Sequence, residues 1–407
     1  MISRRKMMKY LAAIPLFSGF VSSNFTNNVV KNDVNLANRD FFKELGLRTF
    51  INATGTHTYL TGSLMRPEVM NAINLTSNDY VDLNELQDKV GARIAKLLKC
   101  EAAMVSAGAA SALTLGTAAC ITGKDRQKII DLPNLKGPQP EVIVQKTHRF
   151  GYDHAVRNTG IKFIEIETRS ELERAVNKNT VMMLFFNYAN RSGQIKDEEF
   201  VDLGKKYGIP TFNDCAADVP PMEHLWKYTR MGFDLVTISG GKGLRGPQSS
   251  GLLLGQKDLI EAARLNAPPN GNTIGRGMKV NKEEIFGLMV AVEQYLKLDH
   301  KKEREDLEKR VQLIKEAAGS ISGVETEIVV QYIGNHYPQV RIDWDNEKVN
   351  LTHQELIEKL RNGHPSIETA TKGWLGEGVF VCMSMARPGQ ERVVAERLKE
   401  ILQKAVV

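Results

Sequence analysis

The chain has 407 residues, of which 42% are hydrophobic and 25% are charged, an ordinary composition for a globular enzyme with more than one domain. Its formal net charge is +6, and Arg4, Arg5, Lys6 and Lys9 carry four of those charges, which leaves +2 for the remainder. So small a surplus argues against a surface that binds nucleic acid. We therefore expect a small-molecule partner.

The first 23 residues have the layout of a secretory signal. A basic start, Met1 to Lys9, precedes an apolar run from Tyr10 to Val21, which is too short to span a bilayer comfortably. Arg4 and Arg5 resemble the twin-arginine export pattern. We expect a periplasmic or secreted protein with no stable membrane span after processing. The alternatives are a general-secretion signal, or a basic leader on a cytoplasmic protein. Residues 24–44 are predicted to be a linker.

The next two segments are predicted to form a loop that lines a binding site and the start of a helix. Asn52-Ala-Thr-Gly-Thr-His57 is rich in small and hydroxyl residues, which suit a loop that lines a site, and Asn52 and Thr54 are its candidate substrate contacts. Asp82-Leu-Asn-Glu85 reads as a helix capping box before apolar residues at helical spacing.

From residue 101 onward, predicted strands and helices alternate. Strands are expected near 101–105, 141–145, 161–166, 181–187, 210–213, 234–238 and 250–254, with helices near 109–121, 170–177 and 197–207 between them. This alternation predicts an α/β fold with a mostly parallel seven-stranded sheet covered on both faces. Residues 45–298 would form this large domain and 299–407 a small C-terminal α/β domain. The stretch from Lys128 to Pro140 reads as a surface excursion, either a lid or a plain insertion.

A glycine-dense loop between two apolar strands presents one lysine, Lys242. Gly240, Gly241, Gly243 and Gly246 remove side chains from around it and would allow positive φ angles and close approach of a flat ligand. A lysine in such a loop is a phosphate ligand, a solvated hairpin residue, or a covalent catalyst whose pKa falls on burial.

Two other segments favour the covalent catalyst. Asp214 ends a short apolar strand, where open α/β sheets bind ligands. Ser106, Ala107 and Gly108 lead from another strand into a helix start made of small residues, where free amides can hold phosphate. Together with Ser239 and Lys242, these segments supply the contacts that pyridoxal phosphate requires.

The motifs resemble a known family. Ser239-Gly-Gly-Lys-Gly-Leu-Arg-Gly-Pro-Gln248, with Asp214-Cys-Ala-Ala-Asp-Val-Pro-Pro221 upstream, resembles the selenocysteine synthase-like branch of fold-type I pyridoxal phosphate enzymes, which includes L-seryl-tRNA selenium transferases and D-glucosaminate-6-phosphate ammonia-lyase. Further matches are Ile51-Asn-Ala-Thr-Gly-Thr56, Gly62-Ser-Leu-Met65, Val81-Asp-Leu-Asn-Glu-Leu-Gln87 and Gly275-Arg-Gly-Met-Lys-Val280. The resemblance runs from about residue 45 to the C-terminus.

The resemblance implies roles for particular residues. Lys242 would bind the cofactor covalently and then remove the substrate's α-proton, Asp214 would pair with the pyridine nitrogen, and His148, with Tyr152 as second candidate, would stack on the ring. The phosphate contacts would be Ser106, Ala107, Gly108 and Ser239, with Thr273 reaching a partner subunit's cofactor in a homodimer or higher homo-oligomer. Arg276 and Arg387 are candidate substrate ligands.

The favoured activity is α,β-elimination from a hydroxy- or sugar-derived amino acid. The alternatives are selenium transfer to seryl-tRNA, racemisation, transamination, and binding of pyridoxal phosphate without turnover. Selenium transfer is disfavoured because we expect export and no separate tRNA-binding domain before the core. The four cysteines, Cys100, Cys120, Cys215 and Cys382, are widely spaced, so we expect free buried thiols and no metal site.

Overall fold

A computed structural model describes residues 39–407. The predicted signal and most of the predicted linker therefore lie outside the described residues. The chain divides into a short unit that ends at Thr49 and a large unit, Phe50–Val407. In the short unit, one helical turn, Phe41–Glu44, begins after Asp40, whose carboxylate accepts a hydrogen bond from the Lys43 amide at 3.0 Å.

The large unit contains one seven-stranded sheet and two smaller sheets. The strands are β1 Ile51–Asn52, β2 Ala102–Ser106, β3 Glu141–Gln145, β4 Lys162–Ile166, β5 Thr180–Phe186, β6 Thr211–Asp214, β7 Leu235–Ser239, β8 Gly251–Gly255, β9 Val324–Val330, β10 Pro338–Trp344, β11 Ile367–Glu368, β12 Ala370–Thr371 and β13 Val379–Cys382. The large sheet has the order β2-β8-β7-β6-β5-β3-β4. Strands β3 to β7 are parallel and β8 is antiparallel to both of its neighbours, which confirms the predicted mostly parallel sheet.

The helices of residues 39–407 are, in chain order, α1 Phe41–Glu44, α2 Pro67–Thr76, α3 Leu83–Leu98, α4 Ala109–Thr122, α5 Arg126–Asp131, α6 His154–Arg157, α7 Arg169–Ala175, α8 Asp197–Tyr207, α9 His224–Met231, α10 Lys257–Asn266, α11 Lys282–Lys297, α12 His300–Gly319, α13 His353–Arg361 and α14 Gln390–Gln403. Asp82 caps α3 by accepting from the Glu85 amide at 2.9 Å, as the sequence predicts. The stretch predicted as a surface excursion begins as α5, and Ile129 and Leu132 anchor it in the core.

Both faces of the large sheet are covered, because its strands are apolar on both sides. On one face, buried side chains of α3, α8 and α11 pack against β5 and β7 in a single cluster. On the other face, α4, α6 and α10 form a second cluster with β3 and β6. The carboxyl ends of β5, β6 and β7 therefore open at one edge between two rigid layers.

A four-stranded antiparallel sheet, β12-β13-β10-β9, packs with α12, α13 and α14 to form a separate core at the C-terminal end. Two residues of the N-terminal segment, Ile51 and Ala53, belong to this core, and β1 pairs with β11. The segment after β1 is thereby tied to the C-terminal part of the chain.

Three further features of the described residues concern cysteine pairing, membrane-spanning helices and metal-binding clusters. In the described part of the chain all four cysteines are free; Cys215 and Cys382 are buried, whereas Cys100 and Cys120 are only half-buried. Between residues 39 and 407, no helix combines the length and apolar character that a membrane crossing requires. The same residues contain no cluster of three histidine, cysteine or acidic side chains suited to a metal ion.

Candidate active site

Lys242 lies in the turn that joins β7 to β8, at the carboxyl edge of the sheet. Its side chain is largely enclosed by protein, and this burial lowers the pKa of its ammonium group, while Asp214 and Asp218 nearby act in the opposite direction. A lysine with a lowered pKa is more readily neutral, as a nucleophile or base must be.

The glycines around Lys242 are required by close contacts. A Cβ atom on Gly243 would lie 2.0 Å from the Val219 carbonyl oxygen, and one on Gly240 would lie 2.1 Å from the Ser250 hydroxyl oxygen. The expectation of positive φ at these glycines is wrong, because the left-handed residue of the turn is Arg245, at φ 55°. Its Nε donates to the Leu64 carbonyl at 2.9 Å, which holds this strained conformation.

Asp214 ends β6, beside the strand that leads to Lys242. In the sheet register it pairs with Phe186 of β5 and with Thr237 of β7. Its Oδ1 accepts a hydrogen bond from the Ala216 amide at 3.0 Å. Burial raises the pKa of Asp214, whereas the Ala216 bond and Lys242 lower it. The carboxylate therefore needs a positive partner to remain ionised.

A second buried carboxyl group, Asp218, lies near the same lysine, and the sequence interpretation assigned it no role. Asn187 donates to Asp218 and also to the Tyr228 hydroxyl, at 2.6 Å. Burial raises the pKa of Asp218 to about 7, and the neighbouring charge of Asp214 adds to the rise. The sequence signal that could have indicated Asp218 is its position four residues after Asp214, the acid that ends β6.

The predicted phosphate contacts come together through strand register. Ser106 of β2 pairs with Gly251 of β8, which pairs on its other side with Ser239 of β7. Gly108, at φ 93°, is the N-cap of α4, and no side chain caps this helix. The amides of the first turn are thus left for a ligand, beside Ala107 and both serines.

His148 is enclosed by the carboxyl ends of β3 and β5. The Phe186 amide donates to its Nδ1 at 3.1 Å, and Phe185 packs edge-on against it with 4.4 Å between ring centroids. Burial lowers the pKa of His148 to about 4, so the ring is neutral at neutral pH. These contacts are typical of a structural histidine. Stacking on a cofactor stays a prediction, as it does for the exposed Tyr152.

The loop after β1 reaches the site. Asn52 Oδ1 accepts from the amides of Thr54 and Gly55, both at 3.1 Å, so Asn52 shapes the loop. A direct substrate contact by Asn52 stays a prediction. Thr54 is buried, and its hydroxyl lies 3.5 Å from His57 Nε2. Burial lowers the pKa of His57, and the charges of Lys372 and Lys242 lower it further.

Lys372 is a buried lysine that the sequence interpretation missed. It is 6% exposed, and its Nζ donates to the Thr54 carbonyl at 3.1 Å and to Gln339 Oε1 at 2.7 Å. Because Thr54 and Lys372 are 318 residues apart, no local sequence pattern predicts this contact. A cavity of about 40 Å³ adjoins Lys372, Thr54 and His57.

Three other predicted site residues, Thr273, Arg276 and Arg387, do not line the cavity beside Lys372. Thr273 and Arg276 occupy the loop between α10 and α11, where Arg276 is exposed and borders a separate cavity of about 310 Å³. Arg387 is exposed just before α14. The substrate and phosphate roles of all three stay predictions, and for Thr273 and Arg276 these roles require a partner subunit.

A larger cavity, of about 460 Å³, adjoins the lysine turn. Gly243 and Arg245 line it, and Tyr337 and Ser384 border both this cavity and the smaller one beside Lys372. Its charged lining residues are Arg66, Glu223, Arg245, Glu303, Arg304, Asp306 and Arg310. This volume is within the range of small-molecule sites, and the lining suits a polar ligand.

These residues fit pyridoxal phosphate. An acid ends one strand, a lysine lies in the turn that follows the neighbouring strand, and an uncapped helix start lies beside two serines at the same sheet edge. The buried Oδ1 of Asn187, whose side-chain amide donates to Asp218, has no hydrogen-bond partner, which adds to the fit. Such orphaned groups are rare in cores and are typical of a site that receives a polar ligand.

Residues 50–328 match the family model described as SelA, L-seryl-tRNA selenium transferase. The chain belongs to this family. It is also 28% identical over 378 residues to D-glucosaminate-6-phosphate ammonia lyase of Salmonella typhimurium (strain 14028s / SGSC 2262), a match that covers 90% of this chain and 99% of that protein. It is 28% identical over 376 residues to 5'-C-glycyluridine monooxygenase-decarboxylase of a Streptomyces species, covering 89% and 92%.

A solved structure agrees with these matches. The structure of a D-glucosaminate-6-phosphate ammonia-lyase superposes with a TM-score of 0.78 at 27% identity, and covers 90% of this chain and 99% of that one. The predicted membership of the selenocysteine synthase-like branch and the fold-type I architecture are confirmed. As a member of this family, the chain is a pyridoxal phosphate-dependent enzyme of the lyase and transferase type.

Proposed function

We propose that this enzyme releases ammonia from a 2-amino-3-hydroxy acid, including amino-sugar acids, by α,β-elimination. The observation that carries the proposal is a largely enclosed lysine, Lys242, close enough to a buried strand-end acid, Asp214, for their charges to interact, at the sheet edge that also holds an uncapped helix start. The two similar proteins of this family named above perform different reactions, so fold alone does not select the chemistry.

The same residues would hold the cofactor. Lys242 would bind its aldehyde carbon, Asp214 its ring nitrogen, and the amides from Gly108 onward with Ser106 and Ser239 its phosphate. When bound, pyridoxal phosphate supplies a protonated ring that withdraws electrons from the substrate's α-carbon. Asp214 maintains that protonation because a buried carboxylate is stabilised by an adjacent positive charge.

Lys242 then acts on protons. Once the substrate's amino group has displaced it from the cofactor, its Nζ would be more readily neutral because burial lowers its pKa, so it could accept the α-proton of the substrate, and the resulting ammonium could return a proton to the departing β-hydroxyl group. Water leaves from Cβ and is added back as ammonia departs. The net products are one ammonia and one 2-oxo-3-deoxy acid, so no outside oxidant is required.

The shape of the site favours a substrate larger than serine. The cavity of about 460 Å³ shares two lining residues, Tyr337 and Ser384, with the pocket beside Lys372. Four arginines and three acidic residues line it, which suits the hydroxyl and acidic groups of a sugar acid. This supports an amino-sugar acid as the preferred member of the substrate class.

One incubation separates this reaction from its alternatives. Protein loaded with pyridoxal phosphate is incubated in deuterated water with D- and L-2-amino-3-hydroxy acids and amino-sugar acids. Elimination yields ammonia and a 2-oxo acid in equal amounts. Deuterium at Cα without ammonia would indicate a racemase, and amino transfer only with an added 2-oxo acid would indicate an aminotransferase. A protein that exchanges no α-proton would be a non-catalytic binder.

We also propose that the N-terminal signal exports the protein with its cofactor bound. The support is the sequence alone, and a twin-arginine route suits a protein that must bind a cytoplasmic cofactor before crossing the membrane. Replacing Arg4→Lys and Arg5→Lys together should leave cofactor-loaded protein in the cytoplasm. Fractionation of cells measures this, with Lys9→Arg as the matched control, and unchanged periplasmic recovery of the double variant would exclude the route.

Finally, we propose that the active unit is at least a dimer whose sites are shared between subunits. Arg276, in the loop that also carries Thr273, is exposed and borders a cavity that Lys242 does not line. A Lys242→Ala chain and an Arg276→Ala chain, each inactive alone, should recover activity when mixed, because one site of the heterodimer keeps both residues. Sedimentation at assay concentration provides the size, and an active monomer would overturn the proposal.

A further inference from the structure

The buried ammonium group of Lys372 has unused binding capacity. An ammonium group carries three N–H donors, and two of them serve the Thr54 carbonyl and Gln339 Oε1. Both acceptors are neutral, and within residues 39–407 no carboxylate lies at ion-pair distance of Lys372. Burial lowers the pKa of Lys372, because a buried charge without a counter-ion is costly, and an anion beside it would favour the charged form.

The space beside Lys372 has the size of a small anionic group. The cavity of about 40 Å³ exceeds the 10–15 Å³ or so that one water needs and is too small for a sugar or a base. Asn335, Gln339 and Ser384 line it together with Thr54 and His57, so its walls offer several hydrogen-bonding groups. These dimensions fit a carboxylate.

The cavity also has the right position relative to the reacting lysine. His57 and Tyr337 border it together with Lys372, and a Cβ atom on Gly243, the residue after Lys242, would lie 3.2 Å from the Tyr337 hydroxyl oxygen, so the cavity adjoins the lysine turn. A substrate whose amino group approaches Lys242 would carry its α-carboxyl group only two bonds away from that nitrogen. Lys372 comes from the C-terminal part of the chain, and the loop after β1 brings Thr54 to it.

We propose that Lys372, supported by Thr54, is the residue that binds the free carboxylate of the substrate. This rests on the proposed function and narrows its substrate class: the enzyme selects amino acids with a free carboxyl group over amino acids esterified through that group, as in an aminoacyl-tRNA. It also assigns carboxylate binding to a buried lysine, whereas the predicted substrate ligand Arg387 is exposed.

The test compares a free acid with its carboxamide in wild type and variants. Lys372→Gln keeps N–H donors for Thr54 and Gln339 but removes the charge, Lys372→Arg keeps the charge, and Lys399→Met, on the exposed face of α14, is the control. For Lys372→Gln we expect kcat/KM on the acid to fall about 10- to 100-fold, mostly through KM, as expected for loss of a charge-assisted bond. Its activity on the carboxamide should change less than about 3-fold, and Lys372→Arg should restore part of the loss on the acid.

A second readout does not depend on turnover. Calorimetric binding of the 2-methyl analogue of the acid, which has no α-proton to remove, should weaken by the same factor in Lys372→Gln, while binding of its carboxamide should not. If no substrate releases ammonia but this difference persists, the proposed reaction fails and the carboxylate site stands. Equal losses on acid and carboxamide, or equal wild-type affinity for both, would overturn the carboxylate site even if a variant folds poorly.

Discussion

Replacing Lys242 with alanine should abolish covalent retention of the cofactor and lower ammonia release by roughly 10³-fold or more, because one residue serves both as nucleophile and as proton carrier. Treatment of the loaded wild-type protein with borohydride should fix a pyridoxyl group on the peptide that contains Lys242. Mass spectrometry of the digested protein measures this directly, and the same peptide of the variant should carry none.

The matched control is Lys257→Ala, at the exposed start of α10, which should retain both labelling and activity. The positive charge of Lys242 lowers the pKa of Asp214 and of Asp218, so its loss makes the two buried carboxylates less stable in their charged form. Circular dichroism should therefore accompany the assay to verify that the variant folds. A pyridoxyl group found on another lysine of the folded variant would transfer the catalytic role to that residue.

Replacing Asp214 with asparagine should lower turnover by a similar factor, about 10³-fold, while the protein still folds and Lys242 is still labelled. The amide oxygen can keep the hydrogen bond from Ala216, but a neutral amide cannot hold the ring nitrogen protonated. Asp214→Glu tests whether charge alone suffices, and the exposed Asp202→Asn in α8 is the control. Full activity of Asp214→Asn would exclude the assigned role.

Asp214→Asn should lose activity, but without cofactor it should be more stable than the wild-type protein at higher pH. Burial raises the pKa of Asp214 in the folded protein, so its ionisation costs stability. As pH rises from about 3.9, the ordinary aspartate pKa, through the raised value, the wild-type protein should lose stability relative to Asp214→Asn. Melting temperatures of both proteins without cofactor, measured from acid to alkaline pH, should therefore diverge with increasing pH. Parallel curves would contradict this.

Local sequence was sufficient to locate most of the large sheet and its central residues. Each predicted strand lies within about one residue of the observed one, because buried parallel strands are continuous apolar runs bounded by turn residues. The same holds for Lys242 and Asp214, since a lysine among glycines and an acid at a strand end depend on a few adjacent residues. Strand order and register then brought Ser106, Gly108 and Ser239 to one edge.

Contacts between distant segments required the tertiary structure. The bond between Lys372 and Thr54 joins residues 318 apart, and the burial of His148 depends on β5 and on the loop that follows it. Burial and the charge of Asp214 raise the pKa of Asp218, while hydrogen bonds with Asn187 and Tyr228 lower it, and no spacing along the chain encodes this balance. A pattern of neighbours determines which element forms, whereas the charge state of a buried group depends on side chains that only folding brings together.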